Sequence, residues 1–193
     1  MSPQPLITVC IPAYSMQGKG VTLLKYSLDI LSQQDFQDFE VVVSDQSDDE
    51  DIRDLCDDYT GMLVRHIWTR DAERKNSSNT NTAMQAARGK VIKILFQDDF
   101  LNGCDSLGSV ANAFANPAVN WLLSGCEHSS DGINLNRPFV PRWNKHIFLG
   151  HNTVSSPSVL AVRRHLAPSF DEDLIWLMDG EYYWQCYLKF GDP

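Results

Sequence analysis

Short β-branched runs alternate, from Leu6 to Ser124, with segments whose apolar side chains recur at helical spacing, and this alternation constrains the chain more than any other feature. The runs are Leu6 to Ile11, Phe39 to Val43, Leu63 to Ile67, Val91 to Phe96 and Val119 to Ser124. Between them, Val21 to Gln34 places Leu24, Leu28 and Leu31 on one stripe, and a segment capped by Asp48 carries Ile52, Leu55, Cys56 and Tyr59 in the i, i+3, i+4, i+7 pattern. Thr80 to Arg88 reads as a helix stopped by Gly89. Leu107, Val110, Ala111 and Phe114 mark another, closed by Pro117. Repeated strand-to-helix units return each strand alongside the previous one, in the same direction. The expected class is therefore α/β: a mostly parallel, doubly wound, Rossmann-like sheet with helices on both faces. At 193 residues it is expected to be one domain spanning residues 1–193.

Past Gly125 the alternation fades. Glu127 to Gly150 is rich in Asn, His, Pro and Gly and reads as a long active-site loop. Val159 to Val162 resumes as a strand, and Asp179 to Phe190 reads as a closing helix with Tyr183, Tyr187 and Phe190 on its inner stripe.

Charge and cysteine content exclude several classes. Net charge is −9, but Asp45 to Asp58 alone holds eight acids against Arg53, so the acidity belongs mostly to one solvated segment. Leu63 to Lys93 carries seven bases against Asp71 and Glu73, which favours a small anionic ligand, while the overall sign disfavours nucleic acid. The five cysteines form no C-x-x-C pair, so reduced and mostly buried thiols are expected. Apolar runs fall short of the roughly 18 to 20 residues that span a bilayer, and the start lacks a secretory pattern. Together these lead to the expectation of a cytoplasmic protein without an integral membrane segment, with peripheral association left open.

Ligands of a parallel α/β sheet bind beyond the carboxyl ends of its strands. Three such junctions are polar: Pro12-Ala13-Tyr14, Ser44-Asp45-Gln46 and Gln97-Asp98-Asp99. Adjacent carboxylates inside a strand face opposite ways, so only a strand end lets Asp98 and Asp99 turn toward one cation. Mg²⁺ or Mn²⁺ held there would take its remaining oxygens from a substrate diphosphate. Gly18-Lys19-Gly20 lacks the spacing of a phosphate loop, and no G-x-G-x-x-G follows the first strand. His146 and His151, five apart, do not share a helix face, and His66 is expected to pack within its strand. Asp179 heads the last helix, where the dipole favours a carboxylate; it is available as a general base, with Glu181 competing.

Taken in order, Ile7 to Tyr14, Leu31 to Asp45, Asn79-Thr80-Asn81 with Ala87 to Lys90, Ile94 to Asp99 and Met178-Asp179 resemble the family 2 glycosyltransferases of the GT-A fold. The resemblance implies transfer of a sugar from a nucleotide-diphosphate donor, expected to be a UDP-sugar, to an acceptor hydroxyl with inversion. It implies that Pro12, Ala13, Tyr14 and Asp45 hold the base and ribose, and that Asn79 and Asn81 lie beside the nucleotide with Gln46 and Gln97. Asp98 and Asp99 bind a divalent cation, Mn²⁺ or Mg²⁺, and the diphosphate. Asp179 is the base. Phe96 stands where the family's Asp-x-Asp has its first acid, which leaves Asp98 as the matching ligand and Asp99 in support. Residues 1–100 are expected to bind the nucleotide and 101–193 the acceptor, a saccharide or lipid-linked sugar; Trp143, Asn144, His151, Asn152 and Trp184 are candidate acceptor contacts. The family often continues past the last helix, so truncated, minimal and incomplete enzymes are all compatible with the end at Pro193.

Two rival readings remain at this level. One is a nucleotide-sugar binding module without turnover. The other is a nucleotidyltransferase, which would want a glycine- and base-rich phosphate loop where Tyr14-Ser15-Met16-Gln17 stands.

Overall fold

In the computed structural model, which describes residues 4–69 and 73–193, strand β1 (Ile7–Ala13) is buried along its whole length and forms the spine of a sheet. Arg70 and Asp71 of the basic stretch lie outside the described residues. β1 pairs in parallel with β2 (Phe39–Asp45) on one side and β4 (Val91–Ile94) on the other, and β3 (Val64–Trp68) adds in parallel beyond β2. Two further strands, β8 (Leu160–Arg163) and β5 (Trp121–Leu123), complete a six-stranded order β3-β2-β1-β4-β8-β5.

Helices cover both faces because side chains alternate along each strand. Ile7, Val9, Ile11, Val41 and Val43 pack with Leu24, Leu28 and Leu31 of α1 (Gly20–Ser32), Ile52 and Leu55 of α2 (Asp51–Asp57), and Leu107, Val110 and Phe114 of α4 (Ser106–Phe114). On the other face Cys10, Val42, Ile92 and Ile94 meet Ala83 and Met84 of α3 (Asn76–Ala86) and Met178, Tyr182, Tyr183 and Cys186 of α5 (Met178–Phe190). The expected doubly wound α/β class is thus found.

Several elements depart from the sequence expectation. β8 runs antiparallel to both of its neighbours. After β5 the chain makes an excursion through a two-stranded ribbon, β6 (Cys126–His128) and β7 (Asn136–Phe139), and re-enters the sheet without the helical crossover a parallel strand requires. The region expected as one long loop therefore contains a ribbon, plus a single 3₁₀ turn at Ile147–Leu149.

α2 starts at Asp51, so Asp48 is not its cap; Asp48 pairs instead with Arg74. Asp45, counted with the solvated acids, is wholly buried. α3 begins four residues before Thr80, at Asn76. Its polar run survives as a helix because hydroxyls bond back along it, Thr80 Oγ1 to Asn76 O at 2.7 Å and Thr82 Oγ1 to Ser78 O at 3.0 Å. β4 ends at Ile94, two residues early, and the buried stripe of α5 is Met178, Tyr182, Tyr183 and Cys186, with the expected Tyr187 and Phe190 only partly buried. The cysteines are all free; Cys10, Cys56 and Cys186 are buried and Cys104 is exposed.

The reversed direction of β8 has a spatial result. Lys93 pairs with Ala161, so the segment leading into β8 arrives at the edge where β1, β2 and β4 end. Ser158 Oγ accepts the Phe96 N–H there at 2.8 Å.

Candidate active site

The carboxyl ends of β1, β2 and β4 are fastened to one another by side-chain amides. Asn79 Nδ2 donates to Ala13 O at 2.9 Å, and the Gln46 N–H donates to the same carbonyl at 3.0 Å. Gln97 reaches across from the β4 side: its Oε1 accepts the Tyr14 N–H at 2.9 Å and its Nε2 donates to Gly20 O at 2.8 Å. Gly20 is required for this closeness, since a Cβ there would sit 2.3 Å from Tyr14 O. The turn after β1 and the Gln97-Asp98-Asp99 turn therefore form one unit.

Most of the residues expected around the nucleotide are enclosed. Pro12, Ala13, Asp45, Gln46, Asn79 and Gln97 have buried side chains. Asp45 accepts the Ser47 N–H on Oδ1 at 2.8 Å and meets His66 Nε2 through Oδ2 at 2.9 Å, so the strand histidine is packed, as expected, against a carboxylate. Asn81 is turned elsewhere: it donates to Phe170 O at 2.9 Å and Glu172 Oε1 at 2.8 Å and accepts the Phe170 N–H at 2.8 Å, tying α3 to the approach to α5. The ring of Tyr14 stands about half exposed at the rim.

Asp98 and Asp99 emerge at the mouth of a cavity of about 630 Å³ between the β4 turn, α4 and β6. Burial, together with the neighbouring Asp99 charge, pushes the Asp98 carboxyl above its ordinary range. Two adjacent carboxylates with substrate oxygens completing the shell are what Mg²⁺ or Mn²⁺ accepts. The chemistry of the pair fits such an ion, and Asp98 and Asp99 are the residues that would hold it. Among the described residues no group of three or more His, Cys, Asp and Glu side chains gathers to hold a metal by itself.

Beneath the pair lies Lys93, buried against Ile94 O at 3.0 Å and Ser158 O; burial pulls its amine down to about 8, opposed by the charge of Asp99. Counted from sequence among the bases that favour an anionic ligand, Lys93 is instead buried, its amine bonded to two backbone carbonyls.

Asp179 occupies the first turn of α5. Gly180 lets that helix start approach the Ile147–Leu149 turn, a Cβ there standing 3.2 Å from Ile147 O. The Gly180 N–H donates to Asp179 Oδ1 at 2.8 Å, and Asn152 Nδ2 donates to Oδ2 at 2.6 Å. Asn152 Nδ2 also reaches Ser155 O at 3.2 Å, and the next residue, Ser156, donates its hydroxyl to Asp99 Oδ2 at 3.2 Å. Asp99 and Asp179, far apart in sequence, are thus joined through five residues of one loop. Glu181, the competing base, is instead bonded to Gln185 Nε2 at 2.8 Å.

Of the candidate acceptor contacts, Trp143 and Trp184 belong to an aromatic ladder that runs from Trp121 through Trp143, Tyr187 and Trp184 to Phe148, with ring centroids 4.9–5.7 Å apart. Asn144 is exposed and accepts the His146 N–H at 3.0 Å, and His151 is exposed. The other cavity wall, Asn102, Asp105, Ser106, Glu127 and His128, is not legible in the sequence, since it comes from the approach to α4, its polar first residue and an irregular ribbon without periodicity.

Residues 8–161 match the family described as Glycosyl transferase family 2. Validoxylamine A glucosyltransferase of Streptomyces hygroscopicus subsp. jinggangensis (strain 5008) is 30% identical over 133 residues, covering 67% of this chain and 30% of that protein. Among solved structures, S. aureus TarS 1–349 in complex with UDP superposes with a TM-score of 0.76 at 21% identity, over 95% of this chain and 55% of that one. The mannosyltransferase PcManGT from Pyrobaculum calidifontis, in complex with GDP-Man and Mn²⁺, gives 0.65 at 21% identity over 90% and 49%. The expected GT-A fold is carried by these likenesses. The chain spans less than two thirds of the length of each of these proteins.

Proposed function

The chain belongs to glycosyl transferase family 2, and from that premise we propose that it moves a sugar, with inversion, from a nucleotide-diphosphate donor to an acceptor hydroxyl. The observation that supports this reading is the link from Asp99, beside Asp98, to Asp179 through Ser156, Ser155 and Asn152. Single displacement needs a leaving diphosphate on one side of the anomeric carbon and a base on the other.

In this reading the donor, a UDP-sugar, lies over residues 1–100 against the half-exposed Tyr14 ring, with the diphosphate toward Asp98 and Asp99; the UDP complex of TarS supports it. The acceptor, a saccharide or lipid-linked sugar, enters from residues 101–193 past the exposed Trp176 and Leu177. Asp179 takes the acceptor proton as the hydroxyl oxygen bonds to the anomeric carbon and the sugar-phosphate oxygen departs with the nucleoside diphosphate. Asp98 and Asp99 would hold a Mn²⁺ or Mg²⁺ ion, which when bound would supply Lewis-acid neutralisation of that departing charge; the Mn²⁺ complex of PcManGT supports the choice of ion. The reading places the protein in the cytoplasm or at its membrane surface.

The test is a thermal melt with UDP, UDP-GlcNAc, UDP-glucose and GDP-mannose, each with and without Mn²⁺, alongside release of free sugar. Metal-dependent stabilisation by a nucleotide and slow sugar release are expected, since a ligand bound only to the native state raises its apparent stability. Asp98→Asn should abolish the metal-dependent part. Asp179→Asn should leave it intact while lowering turnover by about 10²- to 10⁴-fold. Stabilisation without turnover in the presence of acceptors would return the protein to a binding module, and no response to any nucleotide would end both readings.

A further inference from the structure

The loop from Asn152 to Ser158 bonds both Asp179 and Asp99, yet the proposed transfer gives its side chains no part in the chemistry. Asn152 is the best defined of them. Its Oδ1 accepts two backbone N–H groups, Val154 and Ser155, each at 2.9 Å, and this fixes which end of the amide faces Asp179. The other end donates to Asp179 Oδ2 at 2.6 Å. With the Gly180 N–H on Oδ1, the carboxylate has one donor on each oxygen and a single orientation.

The loop is itself stiff. Ser155 is held at φ +91, a left-handed conformation uncommon outside glycine. Its carbonyl accepts both Asn152 Nδ2 and the hydroxyl of buried Tyr183, the latter at 3.1 Å. One residue on, Ser156 bonds Asp99, and Ser158 is anchored to the β4 turn through Phe96.

We propose that Asn152 is a positioning residue for the transfer reaction, and that the Asn152–Ser158 loop sets the distance between the proton acceptor Asp179 and the diphosphate-side acid Asp99. This deepens the glycosyltransferase reading and rests on its assignment of Asp179. A base misplaced by an ångström loses much of its rate advantage while substrate binding is spared, so the signature is in kcat and not in donor KM.

The discriminating substitution is Asn152→Asp. It keeps the oxygen that caps Val154 and Ser155, so the turn folds, but replaces the donor to Asp179 with a second carboxylate oxygen. Using whichever of UDP-GlcNAc, UDP-glucose and GDP-mannose the wild type turns over with Mn²⁺, kcat is expected to fall by about 10- to 100-fold with donor KM within about twofold of wild type. Added to Asp179→Asn, the substitution should cost nothing more, because the group it acts through is already gone.

An equal loss in both backgrounds, or near-wild-type kcat for Asn152→Asp, overturns the proposal while leaving the base assignment standing. Full turnover in Asp179→Asn instead overturns the assignment on which it rests. A crystal structure of the Asn152→Asp protein decides the geometry without any turnover: Asp179 displaced from its present orientation is the expected result, and Asp179 unmoved overturns the inference.

Discussion

The two halves of the site are built by different means. On the β1, β2 and β4 side, ends of regular strands are buried and locked by amides such as Asn79 and Gln97, so the position of each group follows from sheet register. On the β8 and α5 side, Asp179 and its neighbours are placed by loop side chains bonding one another, beside exposed Ile175, Trp176 and Leu149. The contrast teaches that one half derives its precision from the hydrophobic core and the other from a few polar bonds, and that the two halves should fail differently.

The largest expected effect is in the first half. Leu28 is fully buried between α1 and the sheet, and Leu28→Ala should cost about 2–5 kcal/mol of stability in a urea melt, with activity per folded molecule unchanged. A loss below about 1 kcal/mol would break the claim that the core positions this half.

Next is the seam between halves, where the buried amine of Lys93 is pulled down to about 8 from 10.5. Between those values the unfolded chain holds a proton that the folded one has released, so folding stability gains as pH rises. Relative to Lys93→Met, wild type should therefore gain on the order of 3 kcal/mol from pH 8 to 10.5. A pH-independent gap between the two proteins would refute it.

A smaller effect is expected at Asn81, whose amide ties α3 to Phe170 and Glu172. Asn81→Ala leaves buried backbone groups unpaired and should cost about 1–3 kcal/mol, with turnover falling before nucleotide affinity does. Equal losses of both would mean that the tie serves the donor side as well. At the low end, Trp176→Ser removes a side chain that is 85% exposed and should change stability by less than about 0.5 kcal/mol, while acceptor KM rises.

What could be read from sequence follows the same division. β1, β2 and α1 are legible because burial imposes a period, as in Leu24, Leu28 and Leu31. The start of α3 is not, because Asn76 to Thr82 looks like a polar loop until its hydroxyls are seen bonding their own helix. Asp98 and Asp99 are legible as a pair at a strand end, but the direction of β8 is not: strand sense depends on how the chain returns, and nothing in Leu160 to Arg163 records it. The bond from Asn152 to Asp179 spans 27 residues and belongs to no repeat, so only coordinates show it.

A strand that enters the sheet backwards lets the chain come to the catalytic edge as well as depart from it. The segment between β5 and Ser156 has its two roots in neighbouring strands and is held to the core at Ile147 and Val154, while its β6–β7 ribbon is mostly exposed. That ribbon can lengthen, shorten or change composition without disturbing the register of β1, β2 and β4. Under the proposed transfer, diversity in the acceptor has a place to accumulate apart from the strand ends of β1, β2 and β4.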